Sequence, residues 1–523
     1  MLRNFKVCII ATRQPPESPF SKGGLRKSLL IKGARGLFLT DICRIAKVAA
    51  KGILIYGLVA VCLFMAGCQT TTNIESNTIK PIPESFANAK DSTNSATIDW
   101  RQFFSDTTLI GLIDTALKNN LDVLMALQKI EMARADLRLR KGALLPEISG
   151  GGSVAQRRFG RYTMDGAGNR ETEITPGHMV PDDLPDYYVG LQTTWEMDIW
   201  GKLRNKKKAA FARYLGSIEG KNIVHTNLIS EIAITYYELL SLDTELEIIR
   251  ETIKLQENAL SIVTIQKQAA AANELAVQQF EAQLLNSRAL EVEVLQRTTI
   301  SENRINYLLG RFPQPIIRKK SILPKEIPAQ VKVGIPSDLL ENRPDIKHAE
   351  FELMATKADV KSAKKAFYPS FNITGTMGFQ AFNTSYLFRS PESIAYTAIG
   401  SLTVPIINRS AIQAQFKTAQ AKQIEALYNY QKTIINGYIE VYNEMNNIKN
   451  LEQAYNLTTK KATALTQSIE ISSELFKTGR ANYLEVLITQ QNALQSKLEL
   501  VSTKQQQFNA SVNIYKALGG GWR

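Results

Sequence analysis

Four thiols and three imidazoles are all that cysteine and histidine offer this chain for nucleophilic or metal-binding chemistry. Cys8, Cys43, Cys62 and Cys68 lie within the first 68 residues, and none follows. A disulfide-stapled protein pairs cysteines throughout its body, and a cytosolic protein of this size scatters a few thiols. A single cysteine kept just ahead of a long thiol-free body fits one dedicated use of its sulfur. His178, His225 and His348 are far apart and have no metal-ligand spacing. G-x-S-x-G, a Walker loop and a His-centred triad are absent, so an enzyme reading has little support and no metal or cofactor is expected.

The segment before Cys68 explains its isolation. Arg44, Lys47 and Lys51 precede residues 52–67, GILIYGLVAVCLFMAG, which carry no charge. Sixteen residues fall short of the roughly 20 needed to span a bilayer. A basic flank, a short apolar run and small residues before a cut form a secretory signal. Met65-Ala66-Gly67-Cys68 resembles the bacterial lipobox, in which the cysteine is acylated and becomes the mature N-terminus. Met65 replaces the usual Leu, and Gln69 rather than Asp follows, as in lipoproteins sent on to the outer membrane. The alternative is an uncleaved anchor with an ordinary thiol. Residues 1–43 are long for a signal peptide and fit either a start codon placed too far upstream or an extended basic region. Charge distribution agrees with export: residues 1–51 hold eleven Lys/Arg and two acids, leaving +5 of the net +14 for the rest. That mild balance implies no nucleic-acid partner.

The body reads as a duplication. Leu121-Asp122-Val123 is echoed by Pro344-Asp345-Ile346, Ala135-Asp136-Leu137 by Ala358-Asp359-Val360, and Leu145-Pro146 by Tyr368-Pro369, all 223 residues apart. Asn273-Glu274-Leu275-Ala276-Val277 matches Asn482-Tyr483-Leu484-Glu485-Val486, and Leu309-Gly310 matches Leu518-Gly519, both 209 apart. An offset that changes once means two copies with a longer loop in the first. Each copy opens with a helical segment, about 106–143 and 337–366, ended by Pro146 or Pro369. Alternating segments follow. Phe371, Ile373, Gly375, Met377 and Phe379 interleave with polar residues, as do Val189, Leu191, Thr193, Trp195, Met197 and Ile199. Strands of about ten residues with one apolar and one polar face suit lipid outside and water inside. The stretch 164–186 reads as a turn-rich outer loop. Tyr187, Tyr188, Trp195 and Trp200 are candidates for an interfacial aromatic girdle, with plain packing as the alternative. Lys202, Arg204, Lys206, Lys207 and Lys208 form a basic run that suits acidic head groups or a solvated helix start.

Residues 221–309 contain neither Gly nor Pro, which predicts very long amphipathic helices. A break at about 269–273 would give two antiparallel helices of roughly 45 residues, about 65 Å each. No stretch after Cys68 reaches 18 apolar residues, so a membrane-spanning helix is not expected. Two copies of two strands make only four, too few to close a barrel, and open edges in lipid are costly. The chain must therefore share a barrel with identical copies.

Pro336-Ser337-Asp338-Leu339-Leu340-Glu341-Asn342-Arg343-Pro344-Asp345-Ile346 resembles the segment that opens the second repeat of TolC-like outer membrane efflux factors, in their lipoprotein (NodT-type) branch. Trp195-Glu196-Met197-Asp198-Ile199-Trp200-Gly201 and the terminal Leu518-Gly519-Gly520-Gly521-Trp522 resemble further family motifs, and the likeness covers about 100–523. The resemblance implies a mainly α fold with a small β part: two repeats, each of long antiparallel helices plus a two-strand hairpin. It implies a homotrimer with a twelve-stranded β-barrel in the outer membrane, continuous with a periplasmic α-helical barrel. The implied partners are a periplasmic adaptor, an inner-membrane pump of RND type and outer-membrane lipid. Carried onto this chain, the family's gate acid falls on Glu485, with Ile488 where a second is often found. Glu485 as a solvated charge near a helix N-terminus is the plain alternative. Adaptor-contact candidates are Gly479, Arg480 and Asn273. The first tip, Ala269-Ala270-Ala271-Ala272-Asn273, lacks the family's Gly and is expected to be more helical.

The expected layout is 1–67 extension and signal, 68–100 tether from lipidated Cys68, 101–334 first repeat and 335–523 second repeat. Strands are expected at about 146–200 and 369–407, and long helices at about 203–309 and 410–518. The expected function is passive, gated export of small molecules (drugs, toxic compounds or metal ions) as the outer-membrane part of a tripartite pump. A type I secretion channel and a structural outer-membrane lipoprotein are the alternatives.

Overall fold

The computed structural model describes residues 83, 85–86, 95–318 and 332–523 apart from 408. Cys68, the signal segment and most of the expected tether lie outside the described residues. Phe86, inside that tether, is fully buried and stacks on Tyr438 at 5.1 Å, so the chain is already fixed there.

Helices α1 (Trp100–Phe103) and α2 (Thr107–Asn119) open the described body. Asp106 starts α2 by accepting from the Thr108 N–H at 2.7 Å, and its second oxygen accepts from the Tyr236 hydroxyl at 2.7 Å. Their apolar side chains (Trp100, Phe103, Leu109, Ile113) bury against Ile229, Ile232 and Tyr515, and the Phe103 ring stacks on Tyr515 at 4.1 Å. Next come α3 (Leu121–Gly142) and β1 (Glu147–Arg158). The expected turn-rich loop contains a short helix, α4 (Met164–Glu171), and a small hairpin of β2 (Glu173–Thr175) and β3 (His178–Met179). The Thr163 hydroxyl begins that helix by accepting from the Gly166 N–H at 3.1 Å. The chain continues through β4 (Asp183–Met197), α5 (Lys202–Gln268), α6 (Glu274–Leu308), α7 (Asp338–Asn342), α8 (Pro344–Lys365), β5 (Ser370–Ala381), β6 (Ile394–Thr403), α9 (Arg409–Lys477) and α10 (Tyr483–Ala517).

The long helices differ from the equal pair of about 45 residues. Helix α5 has 67 residues and α6 has 35, about 100 and 52 Å at the helical rise. Gly216 and Gly220 do not limit α5, because there it packs closely on α8. Ala209, Ala212, Ala355 and Ala358 form a small-residue seam between the two, and a Cβ at Gly216 would sit 3.5 Å from that of Phe351. Tertiary contact outweighs the roughly 1 kcal/mol helix penalty of each glycine. Ile199 lies just past the end of β4 rather than within it.

The expected helical segments 106–143 and 337–366 are each interrupted once, at Asn120 and at Arg343. Pro344, with no N–H and a fixed φ, suits the first turn of α8 and turns Arg343 away from helical geometry. At each interruption one helix ends on the start of another. The Asn120 amide donates to the Leu308 carbonyl at the end of α6 (2.9 Å) while its oxygen caps α3. Arg343 Nη1 donates to the Ala517 carbonyl at the end of α10 (2.8 Å). Thus α6 stacks on α3, and α10 on α8. Helix α5 packs between these two stacks, and α9 packs beyond the second. The four large strands form one antiparallel sheet in the order β1-β4-β5-β6. Strand β1 follows α3, β4 precedes α5, β5 follows α8 and β6 precedes α9. Strands and helical columns therefore share one lateral order.

Arg343 also holds Asp345 through two bonds (3.0 and 2.7 Å) and Glu440 through one (2.7 Å), with its side chain 8% exposed. Burial works against its charge, but bonding to Asp345 and the nearby Glu440 outweigh that and raise its pKa. A cation at the C-terminus of α10 also meets the negative end of that helix's dipole. Arg343→Ala leaves two carboxylates and a carbonyl without their partner and should cost about 3–5 kcal/mol. Asn120→Ala loses a neutral cap and should cost about 1–2 kcal/mol. Denaturant unfolding of the two variants checks this ordering; equal losses would refute it.

Candidate functional site

The ladder registers decide how the sheet's side chains divide, since directly opposed residues share a face. Val189 opposes Phe379, Leu191 opposes Met377 and Trp195 opposes Ile373. Phe379 opposes Ile394, Met377 opposes Tyr396 and Phe371 opposes Leu402. On the far side Leu191 meets Gly150 and Tyr187 meets Val154. The apolar sets of separate strands thus merge into one face. It stands open in the single chain: Leu191 is 55% exposed, Met377 65%, Val154 77% and Tyr396 79%. The opposite face carries Ser149, Ser153, Gln192, Thr374, Thr376 and Thr397. Its charges sit at the ends. Arg157 pairs with Asp186 at 2.6 Å beside Gln380, and Lys202 pairs with Glu196 at 2.5 Å.

Of the four girdle candidates, Tyr187 and Trp195 lie on the apolar face. Trp200 lies below the sheet, stacked on Tyr368 at 5.3 Å and donating to the Pro369 carbonyl at 2.7 Å. Tyr188 is on the polar face, its hydroxyl donating to the Leu191 carbonyl at 3.0 Å. It covers Gly190, which directly opposes Gly378. A Cβ on Gly378 would come within 2.4 Å of the Val189 carbonyl oxygen and 2.5 Å of the Gly190 Cα. Glycine here lets two strands approach more closely than any side chain permits.

At the opposite end of the helices, α5 turns into α6 and α9 into α10. The break at 269–273 falls as expected, but the first tip is not more helical. Ala270 adopts a left-handed φ of 60°, matching Gly479 at 71°. The Ala271 N–H bonds to the Gln266 carbonyl (2.8 Å) as the Arg480 N–H bonds to that of Leu475 (2.8 Å). Asn273 then caps α6 by accepting from the Ala276 N–H at 2.9 Å, and Asn482 caps α10. The hydrogen bonds of the turn outweigh alanine's preference, at roughly 1–2 kcal/mol of strain. Val263, Ala276 and Phe280 pack with Val486 and Leu487, which brings the two tips together. Glu485, in the first turn of α10, is exposed beside that cluster, as are Gly479, Arg480 and Asn273. Ile488 is exposed on the next turn.

Sequence reasoning missed the roles of Asn120, Arg343 and the Gly190–Gly378 crossing. Isolated glycines within alternating strands and Pro344 were the available signals. Among the described residues no group of His, Cys, Asp or Glu is suited to a metal ion. Burial, with the nearby Lys221, pushes the His225 imidazole down to about 4.

The sequence profile described as outer membrane efflux protein matches residues 112–311 and 335–520. The chain belongs to the outer membrane efflux protein family. It is an outer-membrane efflux component, a transport conduit rather than an enzyme. The cation efflux system protein CusC of Escherichia coli is 27% identical over 474 residues, 88% of this chain and 98% of CusC. A crystal structure of CusC, described in terms of transmembrane channel formation, matches with a TM-score of 0.73 at 25% identity. It covers 84% of this chain and 97% of that one. SilC of Salmonella typhimurium, named a probable outer membrane lipoprotein, is 28% identical over 88% of this chain and 96% of its own length. The solvent efflux pump outer membrane protein SrpC of Pseudomonas putida is 28% identical over 81% of this chain and 87% of its own.

Two substitutions check the geometry. Gly378→Val should destabilise the sheet by at least about 2 kcal/mol and lower the amount of folded protein recovered from the outer membrane. Ala270→Gly should stabilise the first tip by roughly 0.5–1 kcal/mol. Slower amide exchange around Ala270 and Ala271 is the readout, and unchanged or faster exchange counts against a strained turn.

Proposed function

We propose that three copies of this chain close a twelve-stranded barrel through the outer membrane, continuous with a periplasmic barrel of helical columns. The closed assembly is a passive, gated conduit for small molecules travelling from periplasm to exterior. The observation that carries this is the open pair of edges. In the order β1-β4-β5-β6, β1 and β6 each lack a neighbour on one side. Every unpaired backbone group in hydrocarbon costs several kcal/mol, and four strands cannot curl shut on themselves. Pairing β6 of one copy with β1 of the next satisfies both edges. The same motion brings α9 against a neighbouring α3–α6 stack, because columns and strands share their order. Apolar side chains on those outer columns await such cover: Tyr428 is 58% exposed, Ile435 45%, Val292 67% and Ile300 57%. The apolar sheet face then meets lipid, and the hydroxyl- and amide-rich face lines the lumen.

The paired profile spans, with the recurring echoes at fixed offsets, support a duplicated chain. The lipobox around Cys68 and the name given to SilC support an acylated mature N-terminus. Family membership supports docking to a periplasmic adaptor and an inner-membrane pump of RND type, with the exposed tips at Gly479, Arg480 and Asn273 as the adaptor's contact. Three copies of Glu485 form a carboxylate ring at the periplasmic constriction, an arrangement that favours cations.

The detergent-purified mature chain should sediment as a trimer and conduct in planar lipid; a stable, non-conducting monomer would overturn the barrel. In the same recordings Glu485→Ala should abolish cation preference, and unaltered selectivity rules out the ring. Deleting the gene should sensitise cells to drugs, dyes or metal salts, whereas loss of a secreted protein with unchanged sensitivity would favour protein secretion.

A further inference from the structure

Charge is sharply segregated along this chain. Four short segments, 134–142, 202–213, 357–365 and 409–422, hold seventeen Lys/Arg and only two acids, Asp136 and Asp359. Everything after Cys68 sums to only +5, so the rest of the body is acidic. The four segments lie at one level. They are the sheet-proximal ends of α3, α5, α8 and α9, one for each helical column. In the fold they form a basic collar directly beneath the sheet, to which the notable run at Lys206–Lys208 belongs.

Some of these charges are matched. Arg204 pairs with Asp198 and Arg213 with Glu352 and Asp359. Others, including Lys206, Lys207, Lys208, Lys361 and Lys364, make no ion pair among the described residues. Like charges concentrated at one level repel unless an anionic partner offsets them. The collar also adjoins an apolar rim. Leu145 is 66% exposed, Ile199 52%, Ile406 79% and Ile407 95%. Lys365 Nζ lies 4.9 Å over the ring of Tyr368, which stacks on Trp200. Lys206–Lys208 sit four to six residues into α5, about 6–9 Å below its start. That is the depth of a head-group layer under the hydrocarbon, and flexible lysine stems reach upward across it.

We propose that this collar binds the anionic head groups of phospholipids in the periplasmic leaflet, with phosphatidylglycerol as the model ligand. The rim engages the acyl chains while unpaired lysines engage the phosphates, fixing how deep the sheet sits and adding to whatever anchor Cys68 supplies. The commitment to phospholipid, over other periplasmic polyanions, rests on the unbroken passage from apolar face to rim to collar. The proposal depends on the sheet spanning the membrane, so its test must separate the two.

The full mature chain is reconstituted in vesicles of phosphatidylethanolamine containing a small fraction of brominated lipid, and tryptophan quenching is recorded. Trp200 stands at the collar, and a Trp200→Phe sample supplies the background from the other three tryptophans. Brominated phosphatidylglycerol should quench with about tenfold higher apparent affinity than brominated phosphatidylethanolamine, a difference of about 1.4 kcal/mol. The preference should weaken in high salt. The triple variant K206Q/K207Q/K208Q should lose most of it while keeping its conductance, since it leaves the strands, their open edges and the tips untouched. Equal quenching by the two lipids in a conducting sample overturns the collar alone. A non-conducting sample with no bound lipid of either kind overturns the membrane reading as well. Preference for added lipopolysaccharide or muropeptides with none for phosphatidylglycerol also overturns the proposal, by assigning the charge to a different polyanion.

Discussion

A peptide group in hydrocarbon has no water to fall back on. Each N–H and C=O must find a partner within the protein. Strands β4 and β5 meet this demand on both sides, while β1 and β6 meet it on one. The deficit belongs to the backbone, so no choice of side chain can remove it. It is what makes an oligomer a requirement of the proposed barrel rather than an optional assembly. The apolar face raises the same demand in another form. Leu191, Met377 and Tyr396 lie on one surface with almost nothing of this chain over them, and a water-soluble sheet would cover such a surface with helices.

The helical part is shaped by how its columns are joined. Each shorter helix ends on the start of another, leaving terminal carbonyls that water satisfies poorly. Asn120 answers with a neutral amide and Arg343 with a cation that also gathers Asp345 and Glu440. The two solutions differ in electrostatic character but leave the same result, one helix continued end to end by another. The ends of α6 and α10 meet the buried core of Trp100, Phe103 and Tyr515. Small-residue packing between α5 and α8 keeps the layer close without bulky interlocking.

Much of this was legible in the residues, and the gaps have identifiable causes. Strict alternation in residues 371–379 and 189–197 marked strands with two unlike faces, because the pleat ties residue parity to side. The tip breaks were visible through the repeat, since Asn273-Glu274-Leu275 echoes Asn482-Tyr483-Leu484 just after Gly479. Periodicity could not reveal the stacking breaks, since apolar spacing passes across Asn120 with little change. Nor could it reveal lateral order, which depends on contacts remote in sequence. The expected bounds of about 203–309 with a break at 269–273 match α5 and α6. The expected equal pair counted only the Gly-free span and left out the part of α5 that packs on α8 at Gly216 and Gly220. Ala270 was misjudged for the converse reason: a good helix former is held in a left-handed turn by the hydrogen bonds around it. The meaning of Gly378 emerged only with Gly190 opposite it. Glu485 is exposed, and the carboxylate ring belongs to the proposed trimer, of which one sequence specifies only a third.

The polar face of the sheet bears on where an assembled conduit could discriminate among cargoes. Along its middle run mostly hydroxyls, amides and glycines, with Ile399 opposite Thr374 as the one large apolar side chain. The cross-strand charges at its ends are largely neutralised as Arg157–Asp186 and Lys202–Glu196, with Glu147 at the lower margin. A wall of small neutral hydrogen-bonding groups offers every solute nearly the same environment, whatever its charge. In the proposed assembly, choice among substrates would therefore fall before the barrel, toward the tips. The tips are also where the fold tolerates strain at Ala270 and leaves charged side chains exposed. Neutrality in the sheet, with strain and charge at the far end of the helices, suits the proposed conduit if it opens and closes at the tips and not at the sheet.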